Sequence, residues 1–171
     1  MLEHPGLITM KGKPLTLVGQ EVKVGDPAPD FTAVANDLTE FRFSSLQGQV
    51  CIISAVPSLD TPVCDSETRR FNDEAAGFGP AVKLLTISMD LPFAQKRWCG
   101  AAGVENLKTY SDHREAAFGL AYGVLIKELR LLARAVFVVD KNGKLQHVQL
   151  VKEVANEPDY EAVLQAVRAL V

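Results

Sequence analysis

The chain has no CxxC pair and only three cysteines, three histidines and one tryptophan in 171 residues. Without CxxC, there is no disulfide-reductase motif with both sulfurs at one helix start. Cys51, Cys64 and Cys99 are odd in number, and a chain of this size needs no disulfide framework. His4, His113 and His147 are scattered, which argues against a zinc site built from closely spaced ligand pairs. There is no excess of positive charge: 18 basic against 21 acidic residues, net −3, leaves no electrostatic footprint for nucleic acid or an anionic membrane. No apolar run approaches the roughly 20 residues of a membrane span. The longest, Leu131 to Val139, is interrupted by Arg134. Met1 to Pro5 carries neither a basic nor an apolar leader segment, so a cytoplasmic address with reduced thiols is expected.

What is present reads as one domain over residues 1–171, long enough to bury roughly 70% of its unfolded surface. Residues 7–18 form a hairpin around Lys11-Gly12-Lys13-Pro14, and Val24 to Pro29 is extended. Phe41 to Phe43 is a short strand. Val50 to Val56, an apolar run broken only by Ser54, predicts a buried central strand, and Val82 to Ser88 and Ala135 to Val139 predict two further buried strands. Helices are predicted over 62–76, from Pro92 to about Ala101, over 114–122, and from about Pro158 to the end. Leu107 to Tyr110 is extended, and Asp140 to Gly143 turns the chain into an antiparallel strand at Leu145 to Val151. This order describes a three-layer α/β sandwich, of which the thioredoxin-like fold is one arrangement.

The most informative segment is Pro57-Ser58-Leu59-Asp60-Thr61-Pro62-Val63-Cys64. Thr61 suits an N-cap and Pro62 the first helical position, so Cys64 falls in the first turn. Unpaired N–H groups and the positive dipole end favour an anion there, here a thiolate in the place a capping carboxylate would take. Asp60, Asp65 and Glu67 oppose that charge and call for a cation. Arg69 stands four residues after Asp65 and is occupied by it. Arg134, at the entrance to a core strand, needs an anion or a route to water and is the better candidate. Cys99 lies late in the second helix, and Cys51 lies within an apolar strand where core packing accounts for it. A Cys–His hydrolase needs a histidine beside Cys64, and neither His113 nor His147 lies in a motif that supplies one. The chemistry left for a lone activated thiolate with a distant partner is oxidation by a peroxide to a sulfenic acid, followed by condensation with a second thiol.

The PxxxTxxC pattern of Pro57 to Cys64 resembles that of peroxiredoxins, and the surroundings resemble the bacterial thiol peroxidases of the atypical two-cysteine type. The likeness extends over Val24 to Phe31, Asp90-Leu91-Pro92-Phe93-Ala94-Gln95 to Cys99-Gly100, Ala133 to Val136 and Glu157 to Tyr160. It implies a thioredoxin-like fold with an added N-terminal hairpin and no cofactor. It further implies a hydroperoxide substrate, thioredoxin as reductant and a homodimer. Cys64 would be the peroxidatic and Cys99 the resolving cysteine, joined in an intramolecular disulfide during turnover. Thr61 would hydrogen-bond the thiolate and peroxide, and Pro57 would shape the loop and shield the sulfur. Arg134 would stabilise the thiolate and polarise the peroxide, and the backbone N–H groups of Val63 and Cys64 would bind peroxide oxygens.

A redox-responsive binding module, switched by the same disulfide without turnover, is the competing reading; merely structural thiols are another. A disulfide needs Cα atoms about 4.4–6.8 Å apart, so both helix ends are expected to unwind when it forms. Leu59, Phe93, Leu120 and Tyr122 are candidates for a substrate or dimer face, with core packing the alternative for each. The stretch Ile126 to Leu132 is unusually charged for a connection beside such a site.

Overall fold

A computed structural model describes residues 2–171. The chain opens with a hairpin, β1 (Glu3–Met10) and β2 (Lys13–Val18). Its two-residue turn puts Lys11 and Gly12 at φ 50° and 77°, the left-handed pair that such a turn requires. There follow β3 (Thr32–Ala35), β4 (Glu40–Arg42), β5 (Val50–Ala55), α1 (Pro62–Phe78), β6 (Val82–Ser88), α2 (Pro92–Ala102) and β7 (Lys108–Ser111). The rest of the chain forms α3 (Ala117–Tyr122), β8 (Leu125–Ile126), β9 (Leu131–Leu132), β10 (Ala135–Val139), β11 (Leu145–Leu150) and α4 (Tyr160–Arg168).

Seven strands make a mixed sheet in the order β11-β10-β5-β6-β7-β3-β4, with β5, β6 and β7 parallel. Its central strands β5 and β10 are buried at every position because both faces are covered. Val50, Ile52, Val82, Leu84, Val136 and Val138 pack against α1 and α4 through Phe71, Tyr160, Val163 and Val167. The opposite face, with Cys51, Ile53, Leu85 and Phe137, meets Phe118 and Tyr122 of α3 and the apolar side of the hairpin. Three layers result, as expected for an α/β sandwich. The parallel strands β5 and β6 end on the same side, beside the start of α1; that edge is where side chains from different elements converge.

The structure departs from the sequence reading in three places. First, the hairpin is not an isolated addition: β2 pairs with β8, and β8 with β9, to give a second four-stranded sheet. The charged stretch Ile126 to Leu132 is the tight turn of that sheet. Both Glu128 carboxylate oxygens accept the Thr16 N–H, at 2.8 and 3.1 Å, and Lys127 pairs with Glu3. Second, the helix predicted over 114–122 begins only at Ala117. Ala116 is left-handed at φ 53°, and the buried Asp112 carboxylate accepts the Phe118 and Gly119 N–H groups in place of a normal cap. Third, Thr32–Ala35 is a strand that sequence patterning left unassigned; it pairs with β4 and β7 at the sheet edge. Among the described residues no helix is long and apolar enough to cross a membrane.

Candidate active site

The loop from β5 to α1 carries Pro57 to Thr61. Val56 is still tied to the sheet, its N–H donating to the Ile87 carbonyl at 3.0 Å, and Pro57 is buried. Thr61 occupies the N-cap position in extended conformation and Pro62 is the first helical residue, as expected. The capping chemistry differs from expectation, since the Thr61 side chain accepts no N–H. Instead its hydroxyl donates to the Ser58 carbonyl at 2.8 Å, so it retains only acceptor capacity. The first helical bond runs from the Asp65 N–H to the Thr61 carbonyl, at 2.9 Å. The N–H groups of Val63 and Cys64 precede it and have no intrahelical acceptor. Cys64 is the third residue of α1, fully buried against Val56, Leu59 and Trp98.

Arg134 precedes β10 and is 2% exposed, yet it has an anion on one side and a carbonyl on the other. Its Nη1 donates to Glu67 Oε2 at 2.6 Å, while Nε and Nη2 hold the Val154 carbonyl at 3.2 and 3.0 Å. Burial works against its charge, but the Cys64 sulfur and the Glu67 carboxylate outweigh burial and hold the guanidinium more firmly protonated. Glu67 is fully buried and also accepts from Ser54 Oγ at 3.3 Å. Burial pushes its carboxyl from the ordinary 4.5 up to about 7, against the pull of Arg134. Thus Arg134 serves two sites, the sulfur and a carboxylate one helical turn further along α1.

Asp90, in the loop before α2, fastens the Cys64 loop from the other side. Its Oδ1 accepts Ser58 Oγ at 2.7 Å; its Oδ2 accepts the Leu59 N–H at 2.8 Å and Ser88 Oγ at 2.7 Å. Ser111 Oγ donates to the Asp90 carbonyl, and the buried Gln95 amide links Ser88 Oγ to the Tyr110 carbonyl. This network joins β6, α2 and β7 to the loop that shapes the Cys64 environment.

Cys99 is half-buried near the end of α2, with Sγ 3.4 Å from Thr109 Oγ1, which itself donates to Asn36 Oδ1 at 3.0 Å. Its neighbour Trp98 donates from Nε1 to Asp65 Oδ1 at 2.8 Å, and the other Asp65 oxygen accepts from Arg69 Nε at 2.9 Å. All three cysteines are free thiols. Cys51 is a core residue, 1% exposed, its thiol pushed up to about 11 by burial. Leu59 and Tyr122 are core residues and Leu120 is half-buried; Phe93 alone of the four is largely exposed, at 66%.

Residues 23–164 match the Redoxin family. The chain belongs to the redoxin family. This redoxin is 59% identical to the thiol peroxidase of Bacillus subtilis over 164 residues, which is 96% of this chain and 98% of that one. It is 60% identical to the thiol peroxidase of Oceanobacillus iheyensis over 157 residues, covering 92% and 95% of the two chains. Its fold superposes on a peroxiredoxin-like protein from Aquifex aeolicus with a TM-score of 0.90 at 45% identity, covering 98% and 99% of the chains. A thiol peroxidase from Chromobacterium violaceum shares the fold, with a TM-score of 0.82 at 22% identity and 95% of each chain covered. The redoxin fold is therefore a thioredoxin-like α/β sandwich, and the protein is an oxidoreductase of peroxiredoxin type.

Of the residues picked out in the sequence of this redoxin, Pro57, Thr61, Val63, Cys64 and Arg134 converge at the β5–α1 edge. Cys99 lies on the neighbouring helix with its sulfur turned to Thr109. Sequence reasoning weighed Glu67 only as a charge opposing Cys64 and missed its pairing with Arg134. The signal was its spacing of three from Cys64, which puts both on one face of the helix. Asp90 stood inside the Asp90-to-Gln95 motif without an assigned contact.

Proposed function

We propose that the protein is a thiol peroxidase in which Cys64 reduces hydrogen peroxide and organic hydroperoxides. The observation that carries this reading is the buried Arg134 guanidinium, bonded to Glu67 one turn along α1 and held protonated in part by the charge of the Cys64 sulfur. The Cys64 sulfur attacks one peroxide oxygen, the O–O bond breaks, and the departing oxygen leaves as water or alcohol after taking the thiol's proton. Cys64 becomes a sulfenic acid. Arg134 and the free N–H groups of Val63 and Cys64 stabilise the negative charge that develops on the peroxide oxygens. Thr61, its own proton given to Ser58, accepts the peroxide O–H and so orients it for attack. Buried Pro57 keeps water from the sulfur.

In the second step the Cys99 sulfur displaces the hydroxyl of the sulfenic acid, forming the Cys64–Cys99 disulfide and releasing water. Two electrons from a dithiol reductant restore both thiols. Likeness to the family supports thioredoxin in that role, a homodimer, and a cytoplasmic single-domain enzyme. The test is intact mass and free-thiol count after one equivalent of hydrogen peroxide without reductant. Loss of two hydrogens and two thiols, with Cys51 still free, is expected. Retention of three thiols in folded, freshly reduced protein would overturn the reading. Sustained peroxide consumption with a thioredoxin system separates an enzyme from a redox-switched binding module.

A further inference from the structure

The turn of α2 that carries Cys99 is gripped from α1 on both sides of that cysteine. Trp98, one residue before it, gives its indole N–H to Asp65 Oδ1 at 2.8 Å. Arg69, anchored on the other Asp65 oxygen, lies over the Trp98 ring at 5.6 Å from its centroid and donates from Nη1 to the Ala102 carbonyl at 3.4 Å. On its own side α2 is thinly held, for its buried residues are Pro92, Gln95 and Trp98, of which Trp98 is the last. The Cys99 carbonyl also closes the helix, accepting the Gly103 and Val104 N–H groups at 3.0 and 3.3 Å. Cys99 cannot turn from Thr109 toward Cys64 without disturbing this turn.

Asp65 is also the residue after Cys64. Any unwinding of the first turn of α1 that exposes Cys64 carries the Asp65 carboxylate with it and strips both Trp98 and Arg69 of their shared acceptor. We propose that Asp65, Arg69 and Trp98 form a clasp between the two redox helices, and that its opening sets the rate at which Cys99 reaches oxidised Cys64. The proposal rests on the peroxidase reading above. A closed clasp holds Cys64 as a sulfenic acid for longer. The sulfenic acid then has two fates: Cys99 displaces its hydroxyl to give disulfide and water, or its sulfur takes an oxygen from a second hydroperoxide to give sulfinic acid and an alcohol or water. The clasp therefore sets the partition between turnover and inactivation. Trp98 and Asp65 are positioning residues, acting through the helix that carries Cys99.

Trp98→Phe keeps an aromatic ring and removes the N–H; Asp65→Asn keeps an acceptor for the indole and removes the charge that anchors Arg69. Each variant is mixed with hydrogen peroxide, quenched at intervals with dimedone and an alkylating agent, and followed by intact mass. Conversion of sulfenic acid to disulfide is read after the sulfenic acid has formed, so changes in the peroxide step do not enter. Trp98→Phe is expected to speed this conversion on the order of ten-fold, the scale of one charge-assisted hydrogen bond. It should lower the sulfinic fraction at excess peroxide to match, with Asp65→Asn in between. In the wild type, fluorescence of the single tryptophan should change with the disulfide-forming phase, and stay unchanged in Cys99→Ser, whose clasp remains closed. Unaltered resolution rates in both variants, or a fluorescence change that accompanies the peroxide step in Cys99→Ser, would overturn the proposal. Failure of the wild type to form any sulfenic acid or disulfide would instead overturn the peroxidase reading.

Discussion

Arg134 and Glu67 form a fully buried ion pair, Nη1 to Oε2 at 2.6 Å, one helical turn from Cys64. A buried pair is seldom a net gain in stability over packed hydrocarbon, because both charges lose their hydration. Here the arginine also feels the charge of the proposed nucleophile, so the pair couples the charge of Glu67 to the chemistry at Cys64.

That coupling predicts a pH dependence. Glu67 in the folded protein titrates near 7 against an ordinary 4.5, so between those values the folded state binds more protons than the unfolded one. The contribution is therefore fully present below pH 4.5 and is lost as pH rises through about 7. Relative to Glu67→Gln, wild-type stability should fall by up to about 3 kcal/mol from pH 4.5 to 8. Urea denaturation of both proteins across that range checks it. Parallel profiles would mean that Glu67 ionises normally.

Thr61→Val removes the acceptor while keeping the shape, whereas Thr61→Ser keeps the hydroxyl. The valine variant should lose on the order of 100-fold in the rate of Cys64 oxidation and the serine variant less than ten-fold. Single-turnover stopped-flow kinetics with hydrogen peroxide distinguish them.

Asp90 accepts from Ser58, Leu59 and Ser88 together. In Asp90→Asn the amide nitrogen can accept none of these, leaving one or two buried donors unpaired. A loss of about 1–3 kcal/mol of stability is expected, measured by urea denaturation. Slower Cys64 oxidation should accompany it, because the loop presenting Thr61 is no longer pinned to the segment between β6 and α2. A stable variant with unchanged kinetics would show that the loop holds its shape alone.

Cys51 should stay unreactive. With its thiol pushed to about 11 and 1% exposed, it should resist iodoacetamide at pH 8 in the native protein and react only after unfolding. Cys51→Ala should leave peroxide consumption intact. Cys51→Ser, which places a hydroxyl in the core, should cost about 1–3 kcal/mol in a thermal or urea melt.

The elements of the central sheet were legible because its chemistry is local. Short, largely apolar runs rich in β-branched residues between turn residues read as covered strands, and Thr61-Pro62 can begin a helix without help from elsewhere. The N-terminal hairpin was legible for the same reason, through Lys11-Gly12. Its partner strands were not: β8 and β9 are two residues each, too short for any period, and form only because β2 offers an edge and Glu128 a hydrogen bond across to Thr16. The helix at 114–122 was overextended because the Asp112 carboxylate reaches forward to the Phe118 and Gly119 N–H groups and sets the start of the helix at Ala117.

At the site the division is similar. Cys64 in the first turn of a helix, the pairing of Asp65 with Arg69, and the need of Arg134 for an anion all follow from spacing and burial along the chain. The identity of that anion does not. Arg134 meets Glu67 beside Cys64 only because β10 lies beside β5 in the sheet, bringing residues nearly seventy positions apart into one buried cluster. The grip of Asp90 on the Cys64 loop and of Asp65 on Trp98 likewise span about thirty residues. The sequence by itself determined which side chains are candidates for the chemistry, because dipoles, caps and apolar runs act over a few residues. Only the tertiary structure decided which charges and hydrogen bonds hold them, because in a buried site those partners are set by how the elements pack.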